Sequence, residues 1–123
     1  MNGKEILVDT NILIKLLAGD DTLADFLQGK LLYISFVREL EMYGLRNPSK
    51  DYFNQCKRLL SDCFILPLND DIKNGDIDIR QKTSLKLPDA IIAATALSVK
   101  FPLLSADDVF IGVNKINFMY YEV

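Results

Sequence analysis

Histidine is absent from this sequence. That absence excludes imidazole general bases, Ser-His-Asp and Cys-His nucleophile systems and zinc sites of the histidine type, so any chemistry here runs on carboxylates. Cysteine is scarce: only Cys56 and Cys63 occur, seven residues apart in one helix-like segment. Phe53, Cys56, Leu60 and Cys63 would share an apolar face there, and two buried free thiols are expected rather than a disulfide. No apolar run approaches a membrane span, and no low-complexity tract or internal repeat is present. The start, Met1-Asn2-Gly3-Lys4-Glu5, leads straight into an apolar strand with nothing resembling a secretory signal, so a cytoplasmic location and no membrane association are expected. A basic surplus is also missing. The formal net charge of -3 argues weakly against nucleic-acid binding, but net charge is a poor guide where acids cluster.

What is present is a chain of 123 residues, half of them hydrophobic, which fits one domain spanning 1-123. Glu5 to Val8 reads as a short buried strand and Asn11 to Leu17 as a helix stopped near Gly19. Thr22 caps a short helix ending at Gly29, Leu31 to Ile34 is a second strand, and Ser35 caps a helix running to Tyr43. After the Asn47-Pro48-Ser49 break, a helix over Lys50 to Asp62 leads to a third strand, Phe64 to Leu66. A helix over Asp71 to Gln81 is weakened by Gly75. Pro88 opens an alanine-rich helix, "PDAIIAATALSV", able to lie close on a sheet, followed by strands at Leu103-Leu104 and Ile116 to Tyr120. Strands alternating with helices predict a parallel α/β sheet covered on both faces, whose sites lie at the carboxyl ends of its strands.

Asp9 interrupts the aliphatic stretch "ILVDTNILI" at such an end. Glu39 and Glu41 lie in the helix after the second strand, Asp89 at a helix start, and Asp107 and Asp108 just past the fourth strand. Singly, each has an ordinary explanation: Asp9 as a turn residue, Asp89 as a complement to the helix dipole, Asp107-Asp108 as an exposed turn. Helical periodicity puts Phe36, Val37, Leu40, Tyr43 and Gly44 on the buried face with the two glutamates flanking it, and does not choose between them. The fold, however, sends all these ends to one edge of the sheet. Two carboxylates about 4 Å apart repel by roughly 4 kcal/mol at an effective dielectric near 20. No Lys or Arg lies within the Asp9 or Asp107 motifs, so the expected counter-charge is a divalent cation with oxygen ligands, Mg²⁺ or Mn²⁺.

With these motifs the chain resembles a PIN domain and, within that family, the VapC-type toxins of toxin-antitoxin pairs. "VDTNILIKLL", "ISFVRELEMYG", "LKLPDAIIAATAL" and "LLSADDVF" resemble the family's four motifs in order and spacing. The resemblance implies an α/β three-layer sandwich with a parallel five-stranded sheet, and a Mg²⁺- or Mn²⁺-dependent endoribonuclease that hydrolyses RNA. It implies a cognate antitoxin as partner and a homodimer. Carried onto this chain, it marks Asp9, Glu41, Asp89 and Asp107 as catalytic and metal-binding acids, with Thr10, Asn11 and Ser105 supporting them. The family acid of the second motif follows three residues after a hydroxyl; Arg38 stands at that hydroxyl position, so the count gives Glu41 and leaves Glu39 as the alternative acid. Lys15, Arg38, Arg80, Lys82 and Lys86 are candidates for steering the phosphate backbone.

The alternatives are a PIN nuclease of RNA processing rather than a toxin, a PIN scaffold kept only for binding, and a receiver-like Mg²⁺-binding signalling domain. A receiver wants a lone Asp after its third strand, where this chain has Leu66-Pro67; a haloacid-type phosphatase wants a second Asp where "DTN" has Asn11.

Overall fold

The computed structural model describes residues 3–122; Met1 and Asn2, part of the polar start read above, and Val123 lie outside the described residues. Strand β1 (Glu5–Val8) carries Ile6, Leu7 and Val8 fully buried, because both faces of the sheet are covered and every apolar side chain finds a core. It is followed by helices α1 (Thr10–Leu17) and α2 (Asp21–Leu27), strand β2 (Leu31–Ser35), helices α3 (Phe36–Tyr43) and α4 (Lys50–Leu60), and strand β3 (Phe64–Leu66). Helices α5 (Asp70–Lys82) and α6 (Leu87–Val99) then precede strands β4 (Leu103–Ser105) and β5 (Phe118–Tyr120).

The five strands form one parallel sheet in the order β3-β2-β1-β4-β5. The chain therefore winds outward from β1 to β3, crosses back, and continues outward through β4. The crevice between β1 and β4 is the switch point, where open α/β sheets hold their sites. Strand alternation divides the interior into two cores. Ile6, Val8 and Leu104 join residues of α1, α2 and α4 on one face; Leu7 and Leu103 join Ile72, Ile79 and the alanines of α6 on the other.

The element order and the parallel sheet follow the sequence-based expectation, with local differences. The cap of α2 is Asp20, whose carboxylate accepts from the Leu23 amide at 3.0 Å, rather than Thr22. The last strand is three residues long. Helix α5 is complete in spite of Gly75, and the reason is packing: a Cβ at Gly75 would stand 3.2 Å from the Ala94 Cβ, so the glycine lets α5 and α6 approach closely. Of the expected thiol face, Cys56 is buried, Cys63 is only half-buried and Phe53 is exposed; both thiols are free.

The buried face of α3 also differs from the periodicity reading. Leu40, expected inside, is 61% exposed, while Met42 is buried in the first core and Val37 packs on the second. Helix α3 lies at the end of the sheet between α4 and α6, so its inward direction is set by those neighbours. That direction carries Arg38, one turn before Met42, into the interior, where its charge is met by carboxylates. Among the described residues no helix is long and apolar enough to cross a membrane.

Candidate active site

The first acid is positioned by two elements at once. Asp9 follows β1 and caps α1: its carboxylate accepts from the Thr10 amide at 2.9 Å, and its own amide donates to the Leu104 carbonyl at 3.0 Å. A β-region residue with a short acidic side chain suits that N-cap, and the positive end of α1 favours its charge. Asp9 is only 3% exposed, and its second oxygen accepts from Ser105 Oγ at 2.9 Å.

Ser105 ends β4 beside it and is buried. Its single hydroxyl proton goes to Asp9, while its oxygen accepts from the Asp107 amide at 3.0 Å and from Asn11 Nδ2 at 3.4 Å. Asn11 completes the brace by accepting from the Ala106 amide at 3.1 Å. Thr10, Asn11 and Ser105 thus fix the orientation of Asp9 between the first and fourth strands.

The other acids arrive on α3 and α6. Asp89 lies in the first turn of α6, a helix whose N-cap residue, Lys86, makes no side-chain capping bond. Its carboxylate faces Arg38, which donates from Nη2 at 2.9 Å. Arg38 also donates from Nε to Asp9 at 2.8 Å and from Nη1 to Glu41 at 2.8 Å, with a longer Nη2 contact to the second Asp9 oxygen at 3.4 Å. All three guanidinium nitrogens are spent, each on a different acid, in the fork geometry that suits arginine. Burial by itself would pull the Arg38 pKa down; the Asp9 charge and the bonds to Glu41, Asp89 and Asp9 outweigh it, and the group is held more firmly protonated than an ordinary arginine.

Asp9, Glu41 and Asp89 are therefore brought together. Asp107 is not drawn into this group: it is half-buried and its carboxylate caps the short 3-10 turn over Asp108–Phe110 by accepting from the Val109 amide at 3.1 Å. Asp108 is exposed. Among the described residues Glu39 has no hydrogen-bond or ion-pair partner; it lies near the Tyr43 phenol, whose pKa is raised first by burial, then by Cys56 and Glu39. Of the candidate phosphate-steering residues, Arg38 is inside the acid group, Arg80 pairs with Asp76 at 2.9 Å and Lys82 with Asp78 at 2.8 Å.

The expectation of a divalent cation rests on the absence of Lys and Arg from the Asp9 and Asp107 motifs, and the fold brings counter-charge from a third motif. A protein side chain, Arg38, supplies it in this structure. The segments carrying Asp9 and Asp107 hold no such cation; α3 delivers Arg38 and Glu41 together, one turn apart. The available signal was the arginine at the position where the resemblance calls for a hydroxyl.

The donor set nevertheless fits a hard divalent ion. Three carboxylates point at one cationic group, with no nitrogen or sulfur ligand among them. Among the described residues no three acidic or thiol side chains are gathered tightly enough to grip an ion directly. That is compatible with Mg²⁺, which keeps several waters and takes one or two carboxylates.

Fold and site define an α/β sandwich whose polar centre, at the switch point of a parallel sheet, is built from carboxylates and one arginine. The profile of the PIN domain family matches residues 6–116, and the chain belongs to that family, whose members are nucleases. No curated protein matches the chain. Among solved structures it is similar to a chain of a toxin-antitoxin complex from Klebsiella pneumoniae, with 32% identity, TM-score 0.76, and coverage of 96% of this chain and 99% of that one. The same fold is found in VapBC2 from Rickettsia felis bound to a promoter DNA fragment (16% identity, TM-score 0.81, coverage 96% and 99%). It recurs in DNA-bound VapBC from Salmonella typhimurium (16% identity, TM-score 0.78, coverage 94% and 97%).

Proposed function

We propose that this chain is a Mg²⁺- or Mn²⁺-dependent endoribonuclease acting as the toxin of a VapBC-type pair. The observation that carries the reading is the meeting of Asp9, Glu41 and Asp89 on one cationic group at the sheet's switch point. Membership of a nuclease family and 32% identity to a chain of a toxin-antitoxin complex support it.

In this reading the buried carboxylate of Asp9 and the half-buried one of Asp89 would hold the ion, with Glu41 half-exposed at the rim beside them. Ser105, Thr10 and Asn11 keep Asp9 in register; Asp107, two residues beyond Ser105, lies close enough in sequence to position the attacking water once it releases its local cap. When bound, the ion supplies positive charge opposite the charge growing on the phosphate and makes water more acidic. In this reading hydrolysis proceeds in line, leaves 5′-phosphate and 3′-hydroxyl ends and needs no 2′-hydroxyl nucleophile. The exposed apolar residues Phe26, Leu45 and Phe53 suit coverage by an antitoxin segment or a second copy of the chain.

The test is cleavage of total cellular RNA by the purified chain in Mn²⁺, in EDTA, and with Asp89→Asn. Cleavage lost in both controls is expected; cleavage that survives EDTA overturns the metal-dependent mechanism. Growth arrest on expression separates a toxin from a PIN nuclease of RNA processing, which would be tolerated.

A further inference from the structure

We propose that Arg38 is a built-in counter-ion that occupies the cation position of the acid site and must be exchanged for the divalent ion, so that this chain sets its own metal affinity in cis. The inference rests on the reading of Asp9 and Asp89 as ion ligands.

Three observations lead to it. The guanidinium is spent on the same three carboxylates that would serve the ion, at 2.8, 2.8 and 2.9 Å. An oxygen in such a bond is directed into the space the fork fills, and Mg²⁺ requires approach to about 2.0–2.1 Å. Two cations are not accommodated there together. Second, Arg38 is enclosed: its side chain is 11% exposed, and Met42, one turn further along α3, is anchored in the core. The fork is therefore part of the folded interior rather than a passing surface contact. Third, the acids differ in exposure. Asp9 is 4% and Asp89 23% exposed at the side chain, whereas Glu41 is 49% exposed and sits three residues from Arg38 on the same helix.

That asymmetry gives the exchange a direction. Arg38 can withdraw from the two inner carboxylates while keeping Glu41 as its partner at the rim, and Asp9 with Asp89 is then the pair of carboxylates that Mg²⁺ or Mn²⁺ takes together with water. Three carboxylates against one guanidinium leave the centre with about two net negative charges, so attraction for a divalent ion persists while Arg38 is in place. Affinity is reduced by the fraction of molecules in which the fork has moved aside.

The experiment measures Mn²⁺ binding by calorimetry to the full chain, using wild type, Arg38→Gln, Arg38→Lys, Asp89→Asn and Lys57→Gln. Arg38→Gln is expected to bind Mn²⁺ at least about ten-fold more tightly than wild type, a difference of about 1.4 kcal/mol. Arg38→Lys, which keeps the charge and loses the fork, should fall between them. Lys57→Gln, at an exposed position of α4, changes net charge equally and should move affinity by less than about two-fold.

If Arg38→Gln fails to fold without metal, the Arg38→Lys comparison decides alone. Equal affinity of the Arg38 variants and wild type, with binding still lost in Asp89→Asn, overturns the exchange and leaves the nuclease reading intact. Absence of Mn²⁺ binding in every variant overturns both.

Discussion

Replacing Asp9 by Asn and by Ala separates what this side chain does for the fold from what it does for the reaction. In Asp9→Asn the amide oxygen keeps the bonds from the Thr10 amide and Arg38 Nε, both under 3 Å in the wild type. The amide nitrogen then faces Ser105 Oγ, which already accepts from the Asp107 amide and Asn11, so its proton points at a donor. One mismatched buried bond costs about 1–3 kcal/mol. Removing the Asp9 charge gives up its attraction to Arg38, about 4 kcal/mol at about 4 Å and an effective dielectric near 20, and relieves its repulsion with Asp89 and Glu41 on the same guanidinium, which is of similar size. The charge contributions nearly cancel and the mismatched bond remains, so with about 3–5 °C per kcal/mol for a domain of this size a loss of about 2 kcal/mol lowers the Tm by about 6–10 °C.

Asp9→Ala behaves differently. It removes the α1 cap, worth about 1 kcal/mol, and strips an enclosed arginine of its most buried partner, worth about 3–5 kcal/mol. A Tm loss of about 10 °C or more is expected. Cleavage of RNA, by contrast, should fall at least about a hundred-fold in both variants if Asp9 is the ion ligand proposed above. Thermal unfolding by circular dichroism and initial rates on one RNA substrate give both numbers. Asn at position 9 with activity within a few-fold of wild type and a native spectrum would falsify the assignment of Asp9; an Asn variant less stable than the Ala variant would refute the electrostatic argument.

Glu41→Gln should reduce cleavage at least about ten-fold more than Glu39→Gln, because only Glu41 shares the arginine; the reverse order in the same assay transfers the role to Glu39. The Asp20 carboxylate is held below its ordinary 3.8 by the Leu23 amide and then the Tyr121 hydroxyl, so its stabilisation is full above 3.8 and lost as pH falls through the lower folded value. Tyr121, raised above 10.0 by the same bond, loses its part as pH climbs through the folded value; Asp20→Asn, still a competent cap, should weaken the acid-side dependence in Tm-versus-pH curves, and an unchanged curve would reject the pairing. Burial, with Asp62 adding, pushes the Cys63 thiol up to about 11, and Cys56 is enclosed, so a disulfide reagent at neutral pH should label neither appreciably until denaturant is added; rapid labelling of the native protein would contradict the packing.

The elements that periodicity and punctuation define strongly were legible in the sequence. The buried first strand, the serine cap of α3 and the alanine-rich α6 carry their own local signals, and four acid-bearing motifs at strand or helix ends were enough to place Asp9 and Asp89 at one edge of the sheet. What local pattern could not carry was direction around α3. Leu40 and Met42 differ by two positions, and which of them is inside depends on α4 and α6, which arrive later in the chain. The same rotation decides Arg38. Its role depends on carboxylates far along the sequence, so the counter-charge could be read only from the assembled fold. Asp107 illustrates the opposite case: its motif position resembles that of a site acid, yet in this structure a local amide takes up the carboxylate.

The brace between Asp9 and Ser105 joins residues 96 apart in the chain, and β1, the central strand, pairs with β4 across the same interval. On a ribosome adding about 5–20 residues per second, Asp9 waits roughly 5–20 s for the strand that fixes it. During synthesis the nascent chain can form α1, α2 and the β1-β2 pairing, but Asp9 lacks its Ser105 brace until β4 has emerged and closed the middle of the sheet. The braced form of Asp9 is thus among the later features of the fold to be assembled, with Arg38 already on α3 to meet the carboxylates as they converge.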